Sequence, residues 1–257
     1  MRFAANLYFL FTEVPFLERF AMAKRHGFNA VEFMFPDGEK LEDIVVAQHE
    51  SQTNVVLINM PLGDFAAGDR GLACLPDRIP EFRAAVGTGI TFARALGCPR
   101  LHALAGIVPK GADRKRCLDT LVDNLQYACD AAARHDIDIT LEPINTRDMP
   151  GFVVSRSDEA MEVIERAERP NLHLQYDIYH MQVMEGDLIP TMRRLKDRIG
   201  HVQFADTPGR HQPGTGEINF ANVFAALDDM GYDGYVAAEY RPSGTSEESL
   251  SWFESYR

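Results

Sequence analysis

The chain has 257 residues, of which 46% are hydrophobic and 25% are charged, a composition typical of a soluble globular domain. Its formal net charge of −12 disfavours a polyanionic partner such as nucleic acid, although a local cationic pocket for a small anion can coexist with an acidic surface. No apolar stretch approaches the roughly 18 residues that a membrane span needs, so we expect no membrane partner.

Strand and helix patterns alternate along the whole chain. Short apolar runs rich in β-branched residues predict eight buried strands, at residues 3–7, 30–34, 54–59, 100–104, 137–141, 172–177, 199–206 and 235–239. Apolar residues at helical spacing predict helices at residues 13–26, 41–52, 80–96, 113–135, 187–198 and 247–256. Two further helices are predicted to begin at Ser157 and Asn219, which we expect to act as N-caps. Asp158 and Glu159 would occupy the first turn after Ser157.

This alternation predicts one domain, residues 1–257, with a parallel sheet. The length suits a single (β/α)8 TIM barrel. An open doubly wound sheet is the competing architecture, and it usually has a glycine-rich turn after the first strand. Residues 6–9 contain no glycine, so we favour the TIM barrel.

The N-terminus and the cysteines indicate the cellular compartment. Residues 1–6 run directly into a strand pattern without the organisation of a signal peptide, so we expect a cytoplasmic protein. The four cysteines form no CxxC pair and no spacing typical of a zinc site. We therefore expect reduced thiols.

Oxygen-bearing side chains stand at the ends of the last four predicted strands: Glu142, Asp177, Gln203 and Glu239. One acid at a strand end is more often a helix cap or a salt-bridge partner than a ligand. The C-terminal ends of all strands in a parallel barrel open onto one face, however, and several carboxylates buried together there are costly without a cation. The pattern therefore predicts a site for a hard divalent cation.

The segments that contain these residues resemble the xylose isomerase-like TIM barrel superfamily, and more narrowly the hydroxypyruvate isomerase family. The loop at residues 208–219, with the sequence PGRHQPGTGEIN, is similar to a hallmark loop of that family. The resemblance covers essentially the whole chain. Its other segments are residues 3–7, 68–72, 141–145, 176–180, 201–206 and 238–240.

The resemblance implies one cation held by Glu142, Asp177, Gln203 and Glu239, with Glu142 and Glu239 also serving as the acid–base pair. Related ketose epimerases usually have histidine where this chain has Gln203. An amide ligand makes the site all-oxygen, which favours Mg²⁺ or Mn²⁺ over Zn²⁺.

The resemblance also implies that His180 and Arg210 contact the substrate. Because a guanidinium matches the geometry of a carboxylate, we expect Arg210 to hold an acidic substrate, the alternative being a surface ion pair with Asp206 or Glu217. His211 in the same loop is a further candidate for substrate binding.

Three other residues have two interpretations each. Arg70 either reaches the substrate or pairs with Asp69. Asp206 either supports the metal ligands or takes no part in the site. His102 either lines the site or is an ordinary buried histidine.

The implied reaction is the metal-dependent isomerisation of a small hydroxy-oxo acid, most closely hydroxypyruvate to 2-hydroxy-3-oxopropanoate (tartronate semialdehyde), by proton transfer through an enediol. Isomerisation of 2-oxo-tetronate and 3-epimerisation of a ketose remain alternatives. A non-catalytic sugar-acid binding barrel is disfavoured because Glu142 and Glu239 form a proton-transfer pair that binding alone does not need. A nuclease is disfavoured by the acidic charge and by the lack of extra histidine ligands. The sequence leaves homo-oligomerisation open.

Overall fold

The predicted strands close into one parallel barrel in the order β1 to β8, as the computed structural model shows for residues 1–256. Pairing of β1 with β8, from Arg2 opposite Tyr235 to Ala5 opposite Ala238, completes the closure. The predicted single (β/α)8 TIM barrel is therefore confirmed. The strands are β1 (Arg2–Asn6), β2 (Ala30–Phe33), β3 (Asn54–Asn59), β4 (Arg100–His102), β5 (Asp138–Leu141), β6 (Leu172–Asp177), β7 (Ile199–Phe204) and β8 (Tyr235–Ala238).

Helices surround the barrel and bury their apolar faces against the strands. They are α1 (Phe16–Arg25), α2 (Leu41–Ser51), α3 (Ile79–Leu96), α4 (Arg114–Ala132), α5 (Ser157–Ala167), α6 (Ile178–Met184), α7 (Leu188–Leu195) and α8 (Phe220–Asp229). A 3₁₀ helix, Glu248–Tyr256, replaces the predicted last α-helix. Among residues 1–256, no helix combines the length and the apolar character that crossing a membrane requires.

The helix starts differ from the sequence predictions for local reasons. Asn219 caps α8 as predicted, and its side chain accepts a hydrogen bond from the Asn222 amide. The predicted cap at Ser157 is wrong, because Ser157 is the first residue of α5 and makes no side-chain cap bond. Glu159 in the first turn instead reaches back and accepts a hydrogen bond from the Ser155 amide at 2.8 Å.

The interior of the barrel changes from small apolar residues to polar ones along the strands. Ala4, Ala30 and Ala237 belong to one buried cluster inside the sheet. Side chains two residues apart on a strand lie on the same face of the sheet. Asn6 follows Ala4 by two residues and Glu32 follows Ala30 by two, so both also point into the barrel, closer to the C-terminal ends of their strands. The polar layer therefore forms the floor of the face where the strand-end acids lie.

Candidate active site

Four elements position the predicted ligands at one end of the barrel. Glu142 directly follows β5, Asp177 ends β6, Gln203 lies late in β7 and Glu239 directly follows β8. Asp177 is opposite Gln203 in the β6–β7 register, and Gln203 is opposite Ala237 in the β7–β8 register. Glu142 and Glu239 both line a cavity of about 120 Å³. These positions agree with the expectation that the C-terminal ends of the last four strands lie on one face of the barrel.

Glu142, Asp177 and His180 form a possible metal-binding triad, since one ligand atom from each lies within 4.8 Å of the others. His180 Nε2 is 3.7 Å from Glu142 Oε1 and 3.5 Å from Asp177 Oδ2. Glu142 Oε1 and Asp177 Oδ2 are buried and have no hydrogen-bond partner within residues 1–256. Buried carboxylate oxygens that lack a partner are costly, so these residues fit a bound cation.

The hydrogen bonds of His180 indicate which ring nitrogen carries a proton. Asn145 Oδ1 accepts from the Asp148 amide at 2.8 Å, which leaves the Asn145 Nδ2 group to donate to His180 Nδ1 at 2.6 Å. His180 Nδ1 is then an acceptor, and Nε2 carries the proton toward Glu142 and Asp177. With this tautomer Nε2 has no lone pair for a cation, and it makes no hydrogen bond to either carboxylate, whose nearest oxygens lie 3.7 and 3.5 Å away.

Arg210 lies among the acids. Its Nη2 forms an ion pair with Glu239 Oε2 and is 3.5 Å from Asp177 Oδ2. The guanidinium carbon is 4.9 Å from the centre of the Phe9 ring and 5.2 Å from the centre of the Tyr179 ring. Arg210 therefore faces the cavity, and its ion-pair partners are not the Asp206 and Glu217 that the alternative interpretation named.

Asp206 shapes the loop at residues 208–219. Its carboxylate accepts hydrogen bonds from the amides of Thr207, Gly214, Gly216 and Ile218, at distances from 2.8 to 3.1 Å. A Cβ atom at Gly216 would lie 2.2 Å from the Thr207 carbonyl oxygen, so only glycine fits there. Asp206 thus holds the loop that carries Arg210.

Two predicted substrate contacts lie away from the cavity wall. His211 Nδ1 is hydrogen-bonded to the Arg241 carbonyl oxygen at 2.7 Å. The guanidinium carbon of Arg70 lies 3.8 Å from the centre of the Phe65 ring, and Arg70 donates to the Phe65 carbonyl at 3.0 Å. The residues within 1–256 that line the cavity include neither His211 nor Arg70. Their role in substrate binding stays a prediction.

A further buried acid, Glu32, lies inside the barrel and is not among the site residues predicted from the sequence. Its carboxylate accepts from Asn6 Nδ2 at 2.8 Å and from Gln203 Nε2 at 2.7 Å, and it also pairs with His201 Nε2. The signal in the sequence was a charged residue within the otherwise apolar second strand, in the segment Ala30–Phe33. Glu32 therefore ties Gln203 to the barrel floor.

The same network fixes the amide of Gln203. Because Gln203 donates to Glu32, its Oε1 is turned toward Gln175, whose Nε2 donates to it at 2.7 Å. Gln175 Oε1 in turn accepts from the Thr140 hydroxyl at 2.7 Å. One lone pair of Gln203 Oε1 is used in this chain, and Gln203 Nε2 also donates to Glu239 Oε1 at 3.2 Å, so the amide nitrogen, rather than the oxygen, faces Glu239.

His102 lies beside Glu142 without a hydrogen bond. Its Nε2 is 3.6 Å from Glu142 Oε2, and neither ring nitrogen has a hydrogen-bond partner within residues 1–256. Burial, with a smaller contribution from His201, lowers the pKa of His102 to about 3. The ring is therefore neutral and lines the site without adding charge to it.

Burial raises the pKa values of the clustered acids. It raises the pKa of Glu239 to about 8 against the opposing effect of Arg210. Burial also raises the pKa of Glu142 well above 4.5, and neighbouring Glu239 and Asp177 add to this shift. The pKa of Asp177 is raised by burial, and Arg210 opposes the change. Burial therefore disfavours the ionised form of all three acids in the cation-free site.

These shifts predict how the stability of the cation-free protein depends on pH. A carboxyl group whose pKa is higher in the folded state stabilises the fold below its ordinary pKa and loses that contribution as the pH rises through the folded-state value. For Glu239 the window runs from 4.5 to about 8. We expect the Tm of chelator-treated protein to fall across this window by on the order of 10 °C.

Thermal unfolding of wild type and Glu239→Gln in chelator, at several pH values, measures this effect. The variant lacks the titrating group, so its Tm should fall less steeply than that of the wild type. Parallel Tm profiles for the two proteins would contradict the pKa shift of Glu239. Added Mg²⁺ should remove most of the slope, because a cation favours the ionised acids.

Comparison with known proteins agrees with this geometry. The profile of the xylose isomerase-like TIM barrel family matches residues 20–256. A hydroxypyruvate isomerase from Escherichia coli (strain K12) is 44% identical over 257 residues, 100% of both chains. A 2-oxo-tetronate isomerase from Cupriavidus necator is 41% identical over 255 residues, which are 99% of this chain and 98% of the relative.

A solved structure has the same TIM barrel fold. The crystal structure of a protein from Brucella melitensis, described as AP endonuclease, family 2, superposes with a TM-score of 0.97. It is 44% identical and covers 100% of this chain and 99% of its own. The names of the two curated relatives confirm the predicted isomerase class. The chain belongs to the xylose isomerase-like TIM barrel family, in the group that contains hydroxypyruvate and 2-oxo-tetronate isomerases.

Proposed function

We propose that the protein isomerises a small hydroxy-oxo acid through an enediol, with hydroxypyruvate to 2-hydroxy-3-oxopropanoate as the reaction that its relatives favour. The observation that carries the proposal is the pair Glu142 and Glu239, two carboxyl groups from β5 and β8 that line one cavity of about 120 Å³. A cavity of this size suits a compound of a few carbon atoms. Two carboxyl groups in one cavity suit removal and return of a proton.

The strand-end residues would also hold a divalent cation. Glu142 and Asp177 offer unpaired buried oxygens, and Gln203 and Glu239 complete the all-oxygen set that the family resemblance implies. Such a donor set favours Mg²⁺ or Mn²⁺. When bound, the cation would supply a Lewis acid that polarises the substrate carbonyl and acidifies the adjacent C–H bond.

The two glutamates would move the carbon-bound proton. One carboxylate takes a proton from C3 of hydroxypyruvate, the electron pair of that C–H bond forms the C2–C3 double bond, and the carbonyl π pair moves onto the C2 oxygen. A carboxyl group then returns a proton to C2, the C3–O bond becomes the aldehyde C=O, and the proton of the C3 hydroxyl passes to the C2 oxygen, which becomes the new hydroxyl. Burial raises the pKa of Glu239 to about 8 in the cation-free site, and a bound cation would favour the ionised form, which accepts the carbon-bound proton.

His180 and Arg210 would position the reacting end of the substrate. His180 Nε2 carries a proton toward the acids and can donate to a substrate oxygen. Arg210 Nη2 contacts Glu239 and lies at the same cavity wall. Both side chains are held by neighbours, His180 by Asn145 and Arg210 by the rings of Phe9 and Tyr179.

Isomerisation of 2-oxo-tetronate is the second candidate. The 41% identical relative carries that name. A groove lined by Phe16, Phe35 and Leu62 adjoins the cavity and shares Tyr8, Met34 and Phe65 with it. This extension offers room for one more carbon unit than hydroxypyruvate has.

A substrate panel tests the proposal. We expect kcat/KM for hydroxypyruvate or 2-oxo-tetronate to exceed that for a neutral ketose such as D-fructose by at least about 100-fold, since a site built for a charged group rejects analogues that lack it. Preference for the neutral ketose, with inversion at one carbon, would replace the proposal by the epimerase alternative. Binding without turnover of any compound would indicate a sugar-acid binding barrel.

A further inference from the structure

We infer that Arg241, rather than Arg210, binds the carboxylate of the substrate. This inference rests on the proposed function, because it concerns how a hydroxy-oxo acid is held in the same cavity. Arg241 follows β8 by three residues and lines the cavity together with Glu142 and Glu239. It is exposed at the cavity mouth.

The guanidinium of Arg241 has no anionic partner among residues 1–256. It takes part in none of the ion pairs and none of the side-chain hydrogen bonds of the described chain, and its one ring contact places the guanidinium carbon 6.0 Å from the centre of Phe9. An unpaired arginine at the mouth of an acidic cavity is a ready site for a carboxylate, which its planar fork binds through two parallel hydrogen bonds.

Arg210, by contrast, is already engaged. Its Nη2 pairs with Glu239 and is 3.5 Å from Asp177, and only 14% of its side chain is exposed. A substrate carboxylate at Arg210 would have to share the guanidinium with the carboxylates of Glu239 and Asp177. It would also be repelled by them. A carboxylate at Arg241 avoids that repulsion, because this guanidinium has no carboxylate next to it.

The backbone of Arg241 is fixed by the loop that follows β7. The Arg241 amide donates to the Arg210 carbonyl oxygen at 2.8 Å, and the Arg241 carbonyl oxygen is hydrogen-bonded to His211 Nδ1 at 2.7 Å. The stem of the side chain is therefore positioned while the charged group remains available. This arrangement also gives His211 a structural role in the site, as a support for Arg241.

The phenyl ring of Phe9 provides a common wall for the two arginines. The guanidinium carbon of Arg210 lies 4.9 Å from its centre and that of Arg241 lies 6.0 Å from it. The substrate would place its carboxylate at Arg241 and its reacting carbons toward Glu142 and Glu239. Arg241 would then decide between acids and neutral ketoses, and Arg210 would act at the reacting end.

Steady-state kinetics of Arg241→Ala and Arg241→Lys test this assignment. We expect Arg241→Ala to raise KM for hydroxypyruvate by about 10- to 150-fold with kcat within about twofold, the usual effect of losing a hydrogen bond to a charged group. Arg241→Lys should recover part of the affinity, since it restores the charge without the planar fork. Any turnover of a neutral analogue such as dihydroxyacetone should be affected far less.

Arg193→Ala is the matched control. Arg193 is exposed on α7, away from the cavity, and its removal changes the net charge equally. The Tm and the Kd for Mn²⁺ of each variant show that the fold and the cation site are intact. A KM effect in Arg193→Ala as large as that in Arg241→Ala would overturn the inference, because it would show a general charge effect.

Two further outcomes separate the inference from the proposed function. If the wild type turns over hydroxypyruvate and Arg241→Ala keeps the wild-type KM while Arg210→Ala raises it, the carboxylate lies at Arg210 and the inference is wrong, while the proposed function stands. If the wild type turns over no hydroxy-oxo acid, the proposed function fails and the inference falls with it.

Discussion

Glu239→Gln and Glu142→Gln are each expected to lower kcat by about 10²- to 10⁴-fold, the usual loss when a general acid or base is removed. Glutamine is nearly isosteric with glutamate and keeps an oxygen that can serve as a ligand, but it cannot accept the carbon-bound proton. Both glutamates line the small cavity and both have raised pKa values, so each is placed to exchange a proton with the substrate.

The measurement is kcat at saturating substrate and saturating Mn²⁺, with the Kd for Mn²⁺ determined separately for each variant. This separation prevents a loss of cation from being taken for a loss of proton transfer. Glu162→Gln, an exposed glutamate on α5, is the control and should behave like the wild type. A variant that binds Mn²⁺ and retains the wild-type kcat would exclude the replaced glutamate from the chemistry.

Removal of the divalent cation is expected to abolish activity, and Mg²⁺ or Mn²⁺ should restore it. Glu142 Oε1 and Asp177 Oδ2 are buried without hydrogen-bond partners within residues 1–256, and a cation would satisfy both. A ligand at about 100 times its Kd stabilises a folded protein by about 2.7 kcal/mol, so Mn²⁺ should also raise the Tm of the chelator-treated protein. Full activity in protein shown to be metal-free by elemental analysis would contradict this expectation.

The same experiment distinguishes two ligand sets. The family resemblance includes Gln203, whereas the compact cluster in the structure consists of Glu142, Asp177 and His180. If Gln203→Leu raises the Kd for Mn²⁺ and His180→Gln does not, the ligand set that includes Gln203 is correct. The opposite result would make His180 a ligand, and its proton would then have to move from Nε2 to Nδ1.

The sequence predicted most of the barrel and the location of the strand-end acids, because parallel strands bring their C-terminal ends together whatever the details of the loops. Asp177 shows this clearly, since β6 ends at the predicted residue. The sequence pattern does not predict the short helix α6, because Asp177, its N-cap, also fits the pattern of a strand-end ligand. The carboxylate of Asp177 serves both as a strand-end acid and as the N-cap of α6, and the local sequence pattern does not indicate the capping role.

Contacts between strands that are distant in the chain cannot be predicted from local sequence pattern. Glu32 and Gln203 are 171 residues apart in the chain and are joined by a hydrogen bond of 2.7 Å. The spacing of residues within either strand gives no indication of this pairing, which depends on barrel closure. The partners of Arg210 and the unpaired state of Arg241 likewise depend on how two loops pack, and loop geometry is weakly determined by local pattern.

The most direct test of the central claim is proton NMR of the protein with hydroxypyruvate and Mg²⁺ in D₂O. Our account predicts that 2-hydroxy-3-oxopropanoate appears, that deuterium replaces the C3 protons of hydroxypyruvate as the enediol forms and reverts, and that both processes slow sharply in Glu239→Gln. An active, cation-loaded protein that forms no such product and leaves the C3 protons in place, while exchanging a proton on a neutral ketose, would contradict it.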